Sequence, residues 1–209
     1  MPYQQTAKEE LRNTLTHGLG ILAALLGILI LFSNVNLTDE GTWLGVILYS
    51  ISLLLLYSAS TFYHSVSNPK PKHKLRILDH ISIYFLIAGT YSPIVLTVLK
   101  DSYGLLLFYL VWGIAGLGTL LKLFFTGRFE KLSLIFYLIM GWLIALDAVT
   151  LVNSISSLAL SMLIIGGFFY TIGIYFYVKT YIPYNHVIWH IFVLLGSLSH
   201  YLMIYFILI

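Results

Sequence analysis

The C-terminal stretch PYNHVIWHIFVLLGSLSHYLMIYFILI, residues 183–209, carries His186, His190 and His200 in a segment that is otherwise almost wholly apolar. It contains no Asp, Glu, Lys or Arg, and it is long enough to cross a bilayer, which takes about 20 apolar residues in helical form. Ionisable side chains inside such a segment are costly and tend to be functional. The stretch therefore predicts a membrane-spanning helix that carries a site.

The whole chain has the composition of a polytopic membrane protein. Of its 209 residues, 59% are hydrophobic and only 9% are charged, against about 25% charged in soluble domains. Seven apolar stretches follow one another between short polar or Gly- and Pro-marked connections. Their spans are 16–33, 42–63, 77–98, 104–124, 133–152, 157–178 and 187–208. We expect an all-α bundle of seven transmembrane helices, formed by residues 1–209 as one domain, because no connection could hold another.

The distribution of basic residues predicts the orientation of this bundle. Ten of the eleven Lys and Arg residues lie in the N-terminal arm and in the second, fourth and sixth connections. Because Lys and Arg in short loops resist translocation, we expect the N-terminus in the cytoplasm and the C-terminus outside. The net charge of +3 then requires no nucleic-acid partner, since basic loops meet anionic lipid headgroups.

Two classes of site are excluded by missing residues. The chain has no cysteine, so it forms no disulfide, c-type haem attachment or thiolate metal site. The seventh span has no lysine, which removes the Schiff base that a retinal-binding pump needs.

Three histidines are expected at one depth of the membrane. His186 and His190 open the seventh helix one turn apart on one face, and His64 ends the second helix at the same cytoplasmic edge. Three imidazoles are the ligand count of a catalytic zinc site, whose fourth position is left to water. His200 lies about 15 Å further along the helix, so we expect it to be a buried, hydrogen-bonded residue outside that site.

Further polar residues are expected around these histidines. Ser60 lies one turn deeper than His64, and Asp79 lies just inside the start of the third helix, so both are candidates to orient the ligands or a water molecule. Glu10, Asn13 and His17 surround the start of the first helix. They form either an interfacial cap, with Asn13 and Thr14 satisfying free backbone amides, or a supporting cluster in which His17 orients the metal site or lines its entrance.

Each of these residues also has a simpler interpretation as an interfacial or hydrogen-bonded side chain. A pair of histidines four residues apart can arise by chance. Convergence of three helices on one leaflet, predicted from charge alone, favours the metal site.

Four blocks of sequence resemble the bacterial hemolysin III family, within the progestin and adipoQ receptor group and the wider superfamily that includes alkaline ceramidases. They are ELRNTLTH (10–17), SASTFYH (58–64), LDHISIYFLIAGTYSP (78–93) and HVIWHIFVLLGSLSH (186–200). The resemblance implies a seven-helix protein of the bacterial inner membrane with a zinc ion near the cytoplasmic face. His64, His186 and His190 match the zinc ligands, and Ser60 and Asp79 match the polar pair beside the metal.

The leading hypothesis is a zinc-dependent hydrolase of a lipid amide or ester, similar to a ceramidase, that acts in membrane lipid or fluidity homeostasis. Its partners would be membrane lipids. One alternative is a non-enzymatic lipid sensor or regulator in which zinc only stabilises the fold. Asp79 as a fourth ligand would favour this alternative, because a structural zinc site is closed by four protein ligands. Another is a pore-forming hemolysin, which fits poorly with seven resident helices. The chain lacks the long N-terminal domain of the animal receptors, so a receptor role does not follow.

Overall fold

The structure is a computed structural model that describes residues 5–209. Within that range it contains helices and no strand. Seven helical segments of the described chain are long and apolar enough to cross a membrane, which confirms the predicted seven-helix bundle. The helices are α1 (Ala7–Asn34), α2 (Glu40–Ser65), α3 (Pro69–Thr97), α4 (Gly104–Phe125), α5 (Glu130–Trp142), α6 (Ala148–Ser154), α7 (Ser157–Val178) and α8 (Asn185–Leu208).

The fifth span differs from the expected single helix over 133–152. It consists of α5, a 3₁₀ helix over Leu143–Asp147 and the short α6. Hydropathy detects the apolar stretch but does not report its helical pitch, so this break is invisible in the apolar pattern.

The helix α1 begins at Ala7, well before its predicted apolar span. Its polar first turns can extend beyond the hydrocarbon because a capping residue stabilises the helix start. The Thr6 hydroxyl accepts a hydrogen bond from the Glu9 amide, and the Glu9 carboxylate in turn accepts one from the Thr6 amide. Thr6 therefore caps α1. The interpretation of Asn13 and Thr14 as caps is wrong, since both lie inside the helix.

The first helix has its polar side chains inside and its apolar side chains outside. Glu9, Asn13 and His17 are at most 5% exposed, while Leu22 and Leu29 are about two-thirds exposed. This is the reverse of a helix on a soluble protein, whose polar face meets water. A leucine surface is stable only against lipid, so the chain is an integral membrane protein.

Close helix contacts bring the site together. Consecutive helices α1 and α2, α2 and α3, and α7 and α8 pack against each other, and α8 also contacts α1 and α3. A Cβ at Gly89 of α3 would overlap the Ser52 side chain of α2, and a Cβ at Gly166 of α7 would overlap the His200 ring. These small residues let the helix backbones approach closely. The starts of α1, α3 and α8 and the end of α2 consequently meet around one cluster of polar side chains.

Candidate metal centre

The three predicted histidines lie together. One ligand atom from each of His64, His186 and His190 lies within 4.8 Å of the others. The ring centroids form a triangle with sides of 5.1 Å between His64 and His186, 5.0 Å between His64 and His190, and 4.7 Å between His186 and His190. The end of α2 and the first turn of α8 thus place their imidazoles around one point, as the sequence predicts.

The nitrogen atoms of this group fit a bound cation. Nε2 of His64 and Nε2 of His186 are buried and have no hydrogen-bond partner in the described chain. A buried polar atom without a partner is costly, and a metal ion would remove that cost by accepting both lone pairs. Three neutral imidazoles suit zinc and also other late transition metals. The three histidines could therefore hold one metal ion.

The orientation of His64 is determined by a charged pair from two other helices. Its Nδ1 lies 2.7 Å from the Glu10 carboxylate, and the other oxygen of that carboxylate lies 3.0 Å from Lys72 Nζ. Lys72 also donates to the carbonyls of Tyr63 and Val66 at the end of α2. Because a carboxylate can only accept, Nδ1 of His64 carries the proton and Nε2 keeps its lone pair.

His190 is oriented in the same way by a hydroxyl group. Its Nδ1 lies 3.2 Å from Thr16 Oγ1, and the Thr16 hydroxyl donates its own proton to the Asn13 carbonyl at 2.9 Å. The hydroxyl is therefore an acceptor toward His190, so Nδ1 of His190 carries a proton. Its Nε2 is left with the lone pair that a metal ligand requires.

The supporting cluster on α1 surrounds the histidines. His17 stacks face to face on His190, with ring centroids 3.6 Å apart, and meets the edge of Tyr57. The Asn13 side chain donates to Gln5. Glu10 and His17 thus contact His64 and His190 directly, whereas Asn13 acts through its carbonyl and the Thr16 hydroxyl.

Ser60 and Asp79 lie beside the three histidines without joining them. Both are buried and line one cavity with His186 and His190. Within the described part of the chain Ser60 Oγ makes no well-formed hydrogen bond, although it neighbours the Asp79 carboxylate. The carboxylate is not part of the group of ligand atoms within 4.8 Å of one another.

An apolar cavity of about 310 Å³ begins at this polar end. It continues along α3, the fifth span, α7 and α8 to Ile94, His200 and Met203. Because Asp79 and Ile94 lie fifteen residues apart on α3, the cavity extends roughly 20 Å along the helix axis. That is longer than one leaflet of the hydrocarbon core, which is about 15 Å thick.

The remaining polar residues lie outside the histidine group. His200 Nε2 donates to the Leu163 carbonyl at 3.2 Å, so the expected hydrogen bond is present, but the residue is only partly buried. Glu130 joins three helices through Lys122 Nζ at 2.6 Å, Arg76 at 3.4 Å and His80 Nδ1 at 3.6 Å.

The sequence does not predict two residues of the centre. Lys72 lies among basic residues that are expected to meet lipid headgroups, and no feature of the sequence distinguishes it from Lys70 or Lys74. Thr16 gives a weak signal, because it lies one position from the polar face that Asn13 and His17 define. Neither contact can be found without knowing which helices are neighbours.

Comparison with known proteins gives one family along almost the whole chain. The family model described as "Haemolysin-III related" matches residues 5–201. The "Hemolysin-3 homolog" of Bacillus subtilis (strain 168) is 41% identical over 203 residues, covering 96% of this chain and 95% of the relative. "Hemolysin-3" of Bacillus cereus is 40% identical over 196 residues, covering 92% and 89%. The human "Monocyte to macrophage differentiation factor" is 30% identical over 207 residues, covering 95% and 84%. The resemblance carried by the four sequence blocks is confirmed, and the chain belongs to the haemolysin-III-related family of membrane proteins.

Proposed function

We propose that the protein is a zinc-dependent hydrolase that cleaves an amide or ester bond of a membrane lipid. The observation that carries this proposal is a group of three imidazoles that converge on one point, with a separate carboxylate beside them. His186, His190 and that carboxylate, Asp79, line the polar end of an apolar cavity. His64, His186 and His190 would hold the metal. The substrate's apolar chain would lie in the cavity with its scissile carbonyl at Asp79.

The residues around the histidines support a hydrolytic reaction. Zinc in such a site polarises a carbonyl and makes water more acidic. Asp79 takes a proton from the attacking water and returns it to the leaving amine or alkoxide, as a general base that then acts as an acid. Ser60 donates a hydrogen bond to the oxyanion that develops on the carbonyl oxygen. The apolar walls exclude bulk water, which strengthens both interactions.

The position of Asp79 favours an enzyme over a structural zinc site. A structural site is closed by four protein ligands, whereas a catalytic site has three and an open position. Asp79 stands outside the group that the three histidines form. A lipid sensor stapled by zinc remains the second candidate, and it requires Asp79 to bind the metal directly. Nothing in the site favours a pore, because its polar residues face one buried pocket.

The cellular role follows from the substrate and from the predicted orientation. The histidines would lie at the cytoplasmic side of the bacterial inner membrane, where the enzyme would reach lipids of the inner leaflet. Hydrolysis of a lipid amide or ester there would change membrane composition and fluidity.

The test is Asp79→Asn, which leaves the three imidazoles in place and removes the proton acceptor. We expect full zinc content with turnover of a lipid amide or ester reduced by about 10²- to 10⁴-fold, and failure to restore the lipid profile of cells that lack the protein. Asp101→Asn, in an exposed turn, is the matched control and should behave as wild type. Zinc retention with full restoration would refute the mechanism, and loss of zinc would favour the structural site.

A further inference from the structure

The α-helix of the fifth membrane span is interrupted at the far end of the cavity. Residues outside this span form hydrogen bonds that stabilise the interruption, called the break below. Leu143–Asp147 form a 3₁₀ helix of five residues, flanked by α5 and α6. A 3₁₀ segment within a longer helix often marks a functional position. Gly141, Trp142, Ile144 and Ala145, at and beside this break, line the cavity.

The Tyr91 hydroxyl is inserted into the start of the break. It donates to the Gly141 carbonyl at 3.2 Å and accepts from the Ile144 amide at 2.9 Å. In a regular α-helix the Ile144 amide would donate to the Met140 carbonyl, which here accepts from Leu143 instead. Because an unpaired backbone group inside a membrane costs several kcal/mol, this one hydroxyl makes the irregular geometry stable.

The end of the break is held by the turn between α3 and α4. The Asp147 carboxylate accepts from the Ser102 hydroxyl and from the Tyr103 amide, each at 3.0 Å, in the turn before α4. Hydrogen bonds thus stabilise the 3₁₀ segment at both ends, with Tyr91 of α3 at its start and with the α3–α4 turn at its end. Asp147 therefore has a structural role.

The pitch of this segment determines how far the fifth span reaches along the cavity. A 3₁₀ helix turns 120° and rises 2.0 Å per residue, so converting five residues to α-helix would turn the following chain by about 100° and shorten it by about 2.5 Å. Ala145 would stay on the cavity side, because it lies four residues after Gly141, which also lines the cavity. The wall at and beyond Ala145 would move toward the polar end, which would shorten the space left for an apolar chain.

We propose that Tyr91 determines how long an apolar chain the cavity accepts, by keeping the fifth span in its 3₁₀ form. This inference rests on the proposed function, because it concerns the chain of that substrate. Tyr91 is a specificity-determining residue and takes no part in bond cleavage. It lies about 18 Å along α3 from Asp79, near the depth that the end of a long acyl chain reaches.

The test is the binding of fatty acids, which needs no turnover. Purified full-length protein in detergent is loaded with a fluorescent fatty acid, and dodecanoate and octadecanoate are compared as competitors. For Tyr91→Phe we expect octadecanoate to bind about tenfold more weakly relative to dodecanoate, a change of about 1.4 kcal/mol and close to the burial of two methylenes. Tyr49→Phe is the matched control, because that buried hydroxyl has no hydrogen-bond partner among residues 5–209 and lies outside the cavity lining.

Asp147→Ala provides a second variant that leaves Tyr91 unchanged, and it should shift the ratio in the same direction even where Tyr91→Phe fails to fold. An unchanged ratio in a folded Tyr91→Phe, or equal weakening of both acids, would overturn the inference, as would a wild-type protein that binds neither. The proposed hydrolase is judged separately by zinc content and Asp79→Asn. A protein that binds chains by length but never cleaves a lipid would contradict the hydrolase alone.

Discussion

Replacing Thr16 by Val tests whether the hydroxyl that orients His190 controls metal binding. Valine has nearly the shape of threonine but can accept no hydrogen bond. The Nδ1 proton of His190, now 3.2 Å from Thr16 Oγ1, would lose its acceptor, and no water could easily replace it because His190 is only 1% exposed. We therefore expect zinc to bind more weakly while the fold persists.

The size of the effect follows from burial. An unsatisfied buried donor costs about 1–3 kcal/mol, and the second hydrogen-bond partners of metal-binding histidines are worth about 10- to 100-fold in affinity. For a single neutral hydrogen bond we expect a loss near tenfold, or about 1.4 kcal/mol. Removing the Glu10 carboxylate from His64 should cost more, because its charge strengthens the hydrogen bond.

The assay is a zinc titration of purified protein against a competing chelator. Thr14→Val is the matched control. Thr14 is also on α1 and its hydroxyl also donates to a backbone carbonyl, that of Glu10 at 2.9 Å, so the two variants lose similar bonds within the helix. We expect Thr14→Val to bind zinc as wild type does.

Two results would refute this account of His190. Thr16→Val with zinc affinity within about twofold of wild type would show that the hydroxyl does not orient the ligand, since a lost hydrogen bond of even 1 kcal/mol gives about fivefold. Equal losses in Thr14→Val and Thr16→Val would show a general weakening of α1. Either result would leave the identity of the three ligands to be tested on its own.

The other predictions concern the ligand set and the orientation. His190→Ala should lose most bound zinc and with it the stabilisation of about 2.7 kcal/mol that free zinc at 100 times Kd provides. His200→Ala should keep its zinc. Metal analysis and thermal unfolding check both variants, and full zinc content in both would exclude this site. Because the chain has no cysteine, single cysteines near Lys72, Arg128 and Asp39 can be labelled in intact cells with an impermeant thiol reagent. We expect labelling near Asp39 alone, and labelling at the two basic loops instead would reverse the orientation.

The sequence by itself determined the number of spans and the histidines of the centre. Hydropathy detects each span because a bilayer requires a long apolar segment whatever its neighbours are. The spacing of His186 and His190 on one helix face is local geometry. His64 joins this pair because the alternation of short loops places the end of α2 and the start of α8 on one side of the membrane. These inferences need only the chain and the bilayer, with no knowledge of helix packing.

Only the tertiary structure decided how those histidines are oriented and where the cavity ends. Thr16 and His190 are 174 residues apart, and Tyr91 and Ile144 are 53 apart. Helical periodicity shows which residues share a face, but it does not show which helix that face meets. The break in the fifth span is the clearest case, because its apolar residues suit an ordinary helix. Its 3₁₀ pitch is stabilised by hydrogen bonds with the Tyr91 hydroxyl of α3 and by those that Asp147 accepts from Ser102 and Tyr103 in the turn before α4.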